Sequence, residues 1–362
     1  MTREQAYVFR PERARAAYAS LPRQEVGVAQ ALRVAVIGPG FIAQRHLEVL
    51  ASEPGAELVG IVGRRLAQAE EAAARFGGRP YDSLERMLDT ERPEAAWVCL
   101  PPDQHGAVEG ALIERGIHLF VEKPLAADLD TPLRIDAAIR AAGLVAGVAY
   151  HWRAMDTLRE VEDVIAGNPV KLLTGHWHDS LPGPAWWRDG SRGGGQMVEQ
   201  ATHLVDLSRR LLGEATVVAA TADRHHHPDH PAMTVPDVST AIVRYDSGPV
   251  GSFTATCILG GTSAQEIRLF SDGLAITVRQ QGVLYEDARV KAVTAMDGFT
   301  GSRLWGVTAT RYVPTGNDPF RDENRAFLDA IGHGDPARLF SSYEDAVRTH
   351  RLTCAIREAA RA

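Results

Sequence analysis

The sequence has few cysteines and no excess of positive charge. Its 362 residues include only three cysteines, Cys99, Cys257 and Cys354, which stand far apart. An odd number at such spacing suits neither a disulfide framework nor a zinc-binding cluster, and it favours a reducing compartment. The formal net charge of -7 at pH 7 argues against a general nucleic-acid binder, which needs a basic face.

Long hydrophobic runs are also missing. No segment approaches the ~20 consecutive apolar residues of a membrane span, and residues 1–30 contain no apolar run of signal-peptide length. These absences predict a cytoplasmic protein without a membrane partner. Hydrophobic residues nevertheless make up 45% of the chain, enough for a large core. Because 362 residues exceed what one core usually supports, we expect two domains.

Between Leu32 and about Tyr150, short apolar runs alternate with amphipathic stretches. This alternation predicts an α/β domain with a doubly wound parallel sheet in residues 31–150, because strands buried on both faces are rich in apolar residues. Residues 1–30 form an N-terminal extension with a short predicted helix around Glu12–Ser20. The predicted strands are Leu32–Ile37, Glu57–Val62, Ala95–Leu100, Ile117–Val121 and Leu144–Ala149, and the predicted helices are Phe41–Ser52, Leu66–Phe76, Gln104–Arg115 and Leu129–Ala142.

The pattern changes after Tyr150. Several extended stretches separated by Gly, Asp and Ser turns predict a large, open, mostly antiparallel sheet, so residues 151–362 are expected to form an α+β domain. The predicted strands are Val170–Trp177, Thr216–Ala222, Val238–Tyr245, Val250–Ile258, Gln265–Phe270 and Leu274–Val278, and the predicted helices are Met155–Ala166, Gln196–Leu212, Pro319–Ile331 and Tyr343–Arg361.

The first predicted strand leads directly into Gly38–Ala43 (GPGFIA), which matches the G-x-G-x-x-G/A dinucleotide fingerprint. Gly38 permits the tight turn, Gly40 lets the backbone approach a pyrophosphate, and Ala43 permits close packing of the helix on the strand. The helix N-terminus presents free N–H groups and the positive end of its dipole to the phosphates. The residues predicted to bind the dinucleotide here are Gly38, Gly40, Phe41 and Ile42.

The end of the second strand distinguishes NAD from NADP. NAD-binding proteins usually place Asp or Glu there for the ribose hydroxyls, whereas NADP-binding proteins offer Arg to the 2′-phosphate. This sequence has Gly63 at that point, followed by Arg64 and Arg65. NADP is therefore the predicted cofactor, and NAD is the alternative. Two exposed arginines at the start of a surface helix are the competing interpretation.

Three further motifs resemble those of the glucose-fructose oxidoreductase and inositol dehydrogenase family (GFO/IDH/MocA). They are Leu100–His105 (LPPDQH), Glu122–Pro124 (EKP) and Gly193–His203, which combines a glycine run, an acid and a histidine. The resemblance covers about residues 32–360. It implies a Rossmann domain followed by a domain built on an open sheet that commonly joins subunits. We therefore expect a homodimer or a homotetramer.

The same resemblance implies the site residues. Lys123 and His203 are expected to face the nicotinamide, and Glu199 lies beside them where the family usually has Asp. The implied cofactor contacts are Leu100, Pro101, His105, Glu122, Lys123 and the pair Trp187 and Arg188. The implied substrate contacts are His151, Arg153, Glu199 and His203.

These residue types suit alcohol oxidation, which removes a hydride from carbon and a proton from oxygen. His203 is the expected base because the ordinary pKa of histidine lies near neutrality, and Lys123 is expected to stabilise the alkoxide. Glu199 precedes His203 by one helical turn, so in a helix it would orient the imidazole or bind a substrate hydroxyl. A solvent-exposed lysine and an ordinary helix histidine are the competing interpretations.

The predicted function is an NAD(P)-dependent oxidoreductase acting on a sugar, a polyol or a cyclic ketone. One alternative is a redox-assisted glycosidase or lyase that retains its dinucleotide. Another is a non-catalytic dinucleotide sensor, against which the presence of Lys123 argues. The histidines of His225–His230 and His176–His178 are assigned to a loop and to one strand face, so no metal site is predicted.

Overall fold

The computed structural model describes residues 31–225, 229–289 and 309–361. Residues from Leu32 onward form one compact unit. The predicted helix Glu12–Ser20 and part of the His225–His230 segment lie outside the described residues. In the described ranges, no helix is both long and apolar enough to cross a membrane.

The first sheet has six parallel strands in the order β3-β2-β1-β4-β5-β6. The predicted strands and helices of this part are present, with ends that differ by a few residues. No sequence pattern predicts β3 or α3, although Ser83 caps α3 by accepting a hydrogen bond from the Arg86 N–H. The elements are β1 (Leu32–Ile37), α1 (Phe41–Leu50), β2 (Ala56–Val62), α2 (Leu66–Phe76), β3 (Arg79–Tyr81), α3 (Leu84–Glu91), β4 (Ala95–Val98), α4 (Ala107–Glu114), β5 (His118–Val121), α5 (Asp130–Ala142) and β6 (Ala146–Val148).

This strand order is that of a Rossmann fold, with the chain reversing its direction across the sheet between β1 and β4. Ligands of such sheets bind in the crevice beyond the carboxyl ends of the strands at that point. The loop after β1 and the loop after β4 therefore form the two sides of the expected dinucleotide crevice.

The second sheet has eight strands in the order β14-β13-β12-β11-β7-β10-β9-β8. Only β7 and β10 are parallel neighbours, and the other pairs are antiparallel, which confirms a mostly antiparallel sheet. The last two strands had no predicted counterpart. The elements are α6 (Leu158–Ala166), β7 (Leu172–His178), α7 (Gln196–Glu199), α8 (Thr202–Leu212), β8 (Ala215–Asp223), β9 (Val238–Tyr245), β10 (Val250–Thr256), β11 (Ala264–Ser271), β12 (Leu274–Arg279), β13 (Gly282–Asp287), β14 (Ala309–Pro314), α9 (Pro319–His333) and α10 (Tyr343–Ala359).

Helices cover one face of the second sheet. Phe253, Leu269 and Ile276 from the strands pack with Leu204 of α8 and Leu352 of α10 in one hydrophobic core. The opposite face carries exposed hydrophobic side chains, namely Leu172, Ile242 and Tyr312. The rings of His176 and His178 also share one face of β7, where they stack with centroids 4.6 Å apart.

Helix α9 connects the two sheets. It packs on α1 and on the short 3₁₀ turn His151–Ala154, which follows β6. Its Asn324 hydrogen-bonds both Trp97 of β4 and His46 of α1. The end of the chain therefore holds the 3₁₀ turn against the carboxyl edge of the first sheet.

Candidate active site at the carboxyl edge of the first sheet

The turn after β1 forms a cradle with an open side. Gly38 has φ 86°, and a Cβ built on it would lie 2.4 Å from the carbonyl oxygen of Cys99, so only glycine fits. A Cβ on Gly40 would meet no atom within 4 Å. Helix α1 begins there without a side-chain cap or an acidic residue in its first turn, and Phe41 is 91% exposed. The free N–H groups and the open space fit the pyrophosphate of a dinucleotide.

The turn after β2 presents two free cations. Arg64 and Arg65 are exposed at the start of α2, and in the part of the chain that the structure describes neither guanidinium makes a hydrogen bond or an ion pair. A Cβ on Gly63 would lie 3.0 Å from the carbonyl oxygen of Arg65, closer than an ordinary contact. A side chain at position 63 is thus disfavoured, and both guanidiniums are available to an anion.

The loop after β4 uses His105 internally. Its Nδ1 lies 2.5 Å from Glu109 Oε1, and its Nε2 lies 3.2 Å from the carbonyl oxygen of Leu100. Burial lowers the pKa of His105, but the Glu109 carboxylate outweighs this effect, and the net pKa is raised. Both ring nitrogens are thus engaged within the protein, and the cofactor contact by His105 stays a prediction. Leu100 and Pro101 are half-buried on the rim of the crevice.

Lys123 follows β5, and its ammonium is held by Glu199. The Nζ atom donates to Glu199 Oε1 and to the backbone oxygen of Glu199, both at 2.8 Å. These side chains are only 12% and 13% exposed. The other carboxylate oxygen, Oε2, accepts a hydrogen bond of 2.9 Å from Trp187 Nε1. The carboxylate thus links β5 to the segment before the glycine run.

Glu122 lies beneath Lys123. Its Oε2 accepts the backbone N–H of Lys123 at 3.0 Å, and its Oε1 lies 3.0 Å from His46 Nε2. The Glu122 side chain is buried, so it fixes the Lys123 backbone from inside the protein. The carboxylate therefore supports Lys123, and the cofactor contact by Glu122 stays a prediction.

His203 is the second side chain of the expected nicotinamide site. Its ring stacks on Trp177 with centroids 5.7 Å apart and lies 4.7 Å from the ring of His151. Burial lowers the pKa of His203 well below its usual value, with the charges of His151 and Lys123 acting in the same direction. The imidazole is therefore neutral near pH 7. Its Nδ1 is buried and has no hydrogen-bond partner among the described residues.

Glu199 does not orient His203. Helix α7 ends at Glu199 and α8 begins at Thr202, so the predicted continuous helix Gln196–Leu212 is interrupted. Within the described ranges no hydrogen bond joins the Glu199 carboxylate to the imidazole, because both carboxylate oxygens bond Lys123 and Trp187. The expectation that Glu199 positions His203 is therefore wrong, whereas its proximity to Lys123 agrees with the sequence.

His151 adds a third ring to those of His203 and Trp177. It stacks on Phe320 of α9 with centroids 4.1 Å apart and an interplanar angle of 19°. Burial, followed by the charge of Lys123, lowers the pKa of His151 to about 3. Lys123 thus lies within electrostatic reach of two neutral imidazoles.

Arg153 does not reach the site. Its Nε and Nη2 donate to the two carboxylate oxygens of Asp206 at 2.6 Å, and its Nη1 pairs with Asp345. The side chain is 5% exposed. A buried carboxylate on α8 and a half-buried one on α10 occupy the guanidinium, so the substrate contact predicted for Arg153 would require these ion pairs to open.

Trp187 and Arg188 lie in different environments. The Trp187 indole is buried, and its only polar atom bonds Glu199, so its N–H is engaged within the protein, and the cofactor contact by Trp187 stays a prediction. Arg188 is half-buried and donates to the carbonyl oxygen of Gly183 at 3.2 Å. Arg188 therefore stays a candidate for the cofactor.

Two further residues of the site have no counterpart in the prediction. Arg192 pairs with Asp103, joining the loop before α7 to the loop after β4. Phe320 comes from the last third of the sequence, and no sequence spacing relates it to His151. Asp103 lies inside the motif LPPDQH, and its charge was the sequence signal that could have indicated a basic partner such as Arg192.

The site combines an ammonium held by a carboxylate with neutral imidazoles, near the cradle after β1. The ammonium can stabilise charge on a substrate oxygen, and a neutral imidazole can accept a proton. The arrangement supplies the groups that alcohol oxidation and carbonyl reduction require. In the described part of the chain no three His, Cys, Asp or Glu side chains are placed to hold a metal ion.

Comparison with known proteins identifies similar chains. A family described as "Oxidoreductase family, NAD-binding Rossmann fold" matches residues 32–150, and the GFO/IDH/MocA C-terminal domain matches residues 158–275. The chain is 28% identical to D-glucoside 3-dehydrogenase from Escherichia coli over 199 residues, which cover 53% of this chain and 57% of that protein.

Two solved structures share the fold. Levoglucosan dehydrogenase in complex with NADH superposes with a TM-score of 0.78 at 22% identity, covering 92% of this chain and 97% of that one. A 3-ketoreductase from Actinomadura kijaniata in complex with NADP and TDP-benzene gives a TM-score of 0.76 at 21% identity, covering 91% and 98%. Both sheets therefore have counterparts in known structures.

Proposed function

We propose that this chain, which belongs to the GFO/IDH/MocA family of oxidoreductases, transfers a hydride between a nicotinamide dinucleotide and the CH–OH carbon of a sugar or polyol. The observation that carries this proposal is the Lys123 ammonium, held at 2.8 Å by Glu199 at the carboxyl end of β5. The names of similar proteins support the substrate class, since they act on a glucoside and on levoglucosan.

The dinucleotide supplies the hydride acceptor or donor when bound. In oxidation, the hydride leaves the carbinol carbon with its electron pair, and the hydroxyl proton must leave the oxygen. Lys123 donates a hydrogen bond to that oxygen and stabilises the developing alkoxide. His203 is neutral because burial lowers its pKa, so it is in the form that accepts the proton. In reduction the same groups act in reverse.

The dinucleotide proposed for this site is NADP, with NAD as the alternative. The guanidiniums of Arg64 and Arg65 have no partner among the described residues, and position 63 carries no acid that would repel a phosphate. A free guanidinium pairs with a phosphate through two parallel hydrogen bonds, which favours the 2′-phosphate of NADP. The similar structures bind NADP in one case and NADH in the other.

We further propose that a second copy of the chain covers the open face of the second sheet. Leu172, Ile242 and Tyr312 are exposed there, and the register of neighbouring strands places all three on the same face. Exposed apolar side chains that share one face of a sheet are typical of association surfaces.

The direct test is the stoichiometry of the nicotinamide. The purified chain is incubated with NAD or NADP and a panel of D-glucose, methyl β-D-glucoside, myo-inositol, scyllo-inositol and levoglucosan, and the reduced nicotinamide is followed by absorbance. We expect one reduced nicotinamide for each alcohol oxidised. Cleavage of the glucoside without net reduction would support a redox-assisted glycosidase instead. Tight dinucleotide binding without turnover of any panel member or its ketone would support a sensor.

A further inference from the structure

We propose that Trp187 is a positioning residue that sets the place of the Lys123 ammonium through Glu199. The inference rests on the proposed role of Lys123 in hydride transfer. The indole does not touch the reacting groups in this arrangement, and it acts through the hydrogen bond from its Nε1 to Glu199 Oε2 at 2.9 Å.

A small hydrophobic cluster fixes the indole. Trp187 is 1% exposed and packs with Met233, Val235 and Cys257, with Leu181 and Trp186 at the margin. This cluster is separate from the cores of the two sheets. Close packing leaves a buried indole little rotational freedom, so the direction of its N–H is determined by the cluster.

Backbone hydrogen bonds fix the same segment. The Thr234 N–H donates to the carbonyl oxygen of Arg188 at 2.9 Å, and the Gly190 N–H donates to Thr234 Oγ1 at 2.8 Å. The segment around Trp187 is therefore tied to the chain that leads into β9. Gly193 permits this packing, because a Cβ there would lie 3.3 Å from the Trp186 ring.

The Glu199 carboxylate has one partner for each oxygen. Oε1 accepts from Lys123 and Oε2 accepts from Trp187, so the indole determines the rotation of the carboxylate and thereby the position of Oε1. Without the indole N–H, Oε2 would be left unpaired in a largely buried place, which is unfavourable. We expect the carboxylate to turn toward water, so that Lys123 loses one of its two acceptors.

This arrangement explains why glutamate can stand at position 199. The carboxylate must reach both an ammonium on the first sheet and an indole in the separate cluster. Removing the partner of one oxygen should disturb the other contact, because groups in one hydrogen-bond network are energetically coupled.

The test replaces the indole N–H and keeps an aromatic ring. The substrate is the panel sugar that the parent oxidises fastest. In Trp187→Phe we expect its turnover to fall roughly tenfold, because a hydrogen bond to a charged group contributes on that scale. The dissociation constant of NADP should change by less than about twofold, because in this proposal the indole acts through Glu199 and not on the cofactor. Trp186→Phe, which alters the same cluster without touching Glu199, is the matched control and should keep the parent turnover.

A second readout requires no substrate. Lys123 is one of three lysines in the sequence, with Lys171 and Lys291. Competitive labelling with acetic anhydride, read by mass spectrometry with Lys171 as the internal reference, should show Lys123 reacting roughly fivefold faster in Trp187→Phe than in the parent. Unchanged labelling would contradict the inference even if none of the sugars is a substrate.

The double variant separates positioning from simple loss of packing. In a Glu199→Gln background, Trp187→Phe should lower turnover by less than about twofold further, whereas independent effects would multiply. If Trp187→Phe does not fold, β-(3-benzothienyl)alanine at position 187 keeps the shape of indole without the N–H and must give the same loss.

Each outcome has one interpretation. Parent turnover in Trp187→Phe, or weaker NADP binding with unchanged turnover, overturns the positioning role and supports packing alone or a cofactor contact. Parent turnover in Lys123→Met overturns the proposed role of Lys123 in hydride transfer, on which this inference rests. A loss in Lys123→Met with no loss in Trp187→Phe overturns only this inference.

Discussion

Arg192 pairs with Asp103 and thereby joins the segment before the glycine run to the loop after β4. Its Nε lies 2.7 Å from Asp103 Oδ2, and its Nη2 lies 3.3 Å from Oδ1. Asp103 belongs to the loop after β4, whereas Arg192 directly precedes the glycine run that leads to Glu199. We expect this ion pair, which fixes the loop after β4 on one side of the expected crevice, to slow the release of a bound dinucleotide.

We predict that Arg192→Gln speeds dinucleotide release. The Arg192 side chain is 36% exposed, and partly exposed ion pairs contribute little, so the dissociation rate of NADPH should rise roughly two- to fivefold. Stopped-flow fluorescence measures this rate. The exchanged pair, Asp103→Arg with Arg192→Asp, should restore the slow rate at low salt, and a rate equal to the parent in Arg192→Gln would exclude the bridge as a barrier.

The preference for NADP should depend on the two free arginines. Arg64→Ala and Arg65→Ala remove charge-assisted hydrogen bonds to the 2′-phosphate, so at least one variant should bind NADP about tenfold or more weakly. The affinity for NAD should change far less, since NAD lacks that phosphate. Arg159→Ala on α6 is a matched surface control. Tighter binding of NAD than of NADP by the parent would contradict the assignment.

Acid should destabilise the protein partly through His151. Its pKa is about 3 in the folded protein against 6.5 ordinarily, mainly because of burial, so the unfolded chain binds a proton that the folded chain excludes. The stabilising contribution is complete above pH 6.5 and is lost as pH falls toward 3.

His151→Gln removes this contribution. Between about pH 6 and 4, the free energy of unfolding of His151→Gln should fall less steeply than that of the parent, by about 1.4 kcal/mol per pH unit. Urea unfolding across that pH range measures the slope. Parallel slopes for the two proteins would show that His151 is not buried in its neutral form.

Association through the open sheet face should be sensitive to charge. Ile242→Glu places a carboxylate on the open face of the second sheet, so the apparent mass by light scattering should fall toward that of a monomer. A parent chain that is monomeric at micromolar concentration would remove the proposed interface.

The sequence predicts the first sheet well because parallel strands buried on both faces are continuous apolar runs. β3 escapes prediction because it has three residues, of which only Tyr81 is buried. The last strands are short and alternate in burial, and they give no such run. A parallel sheet also fixes where the loops after β1, β4 and β5 lie, which explains why the motifs at Gly38, Leu100 and Lys123 point to one edge.

Side-chain roles were harder to infer than positions. Sequence spacing places Glu199 one turn before His203, but it does not reveal that the helix is interrupted between them or that Trp187 takes one carboxylate oxygen. Arg153 resembles a pocket residue by position, yet Asp206, distant in sequence, occupies it. Long-range pairing of this kind is set by the packing of α8 and α10, which no local pattern specifies.

The composition also points to Lys123 as an unusual residue. Only three of the 39 basic residues are lysines, and one of them is Lys123. A chain that otherwise uses arginine retains a lysine where a compact ammonium with three donors suits the site.

The most direct measurement of the central claim is the turnover of Lys123→Met, with Lys171→Met as control, on the panel sugar that the parent oxidises fastest. Lys171 pairs with Asp272 on the surface, away from Glu199. General acid–base and electrostatic catalysis by such a group contributes about 10²- to 10⁴-fold, so kcat should fall by that factor while the dissociation constant of NADP changes little. Lys171→Met should match the parent. A Lys123→Met enzyme with parent turnover would contradict the assignment of hydride transfer to this site.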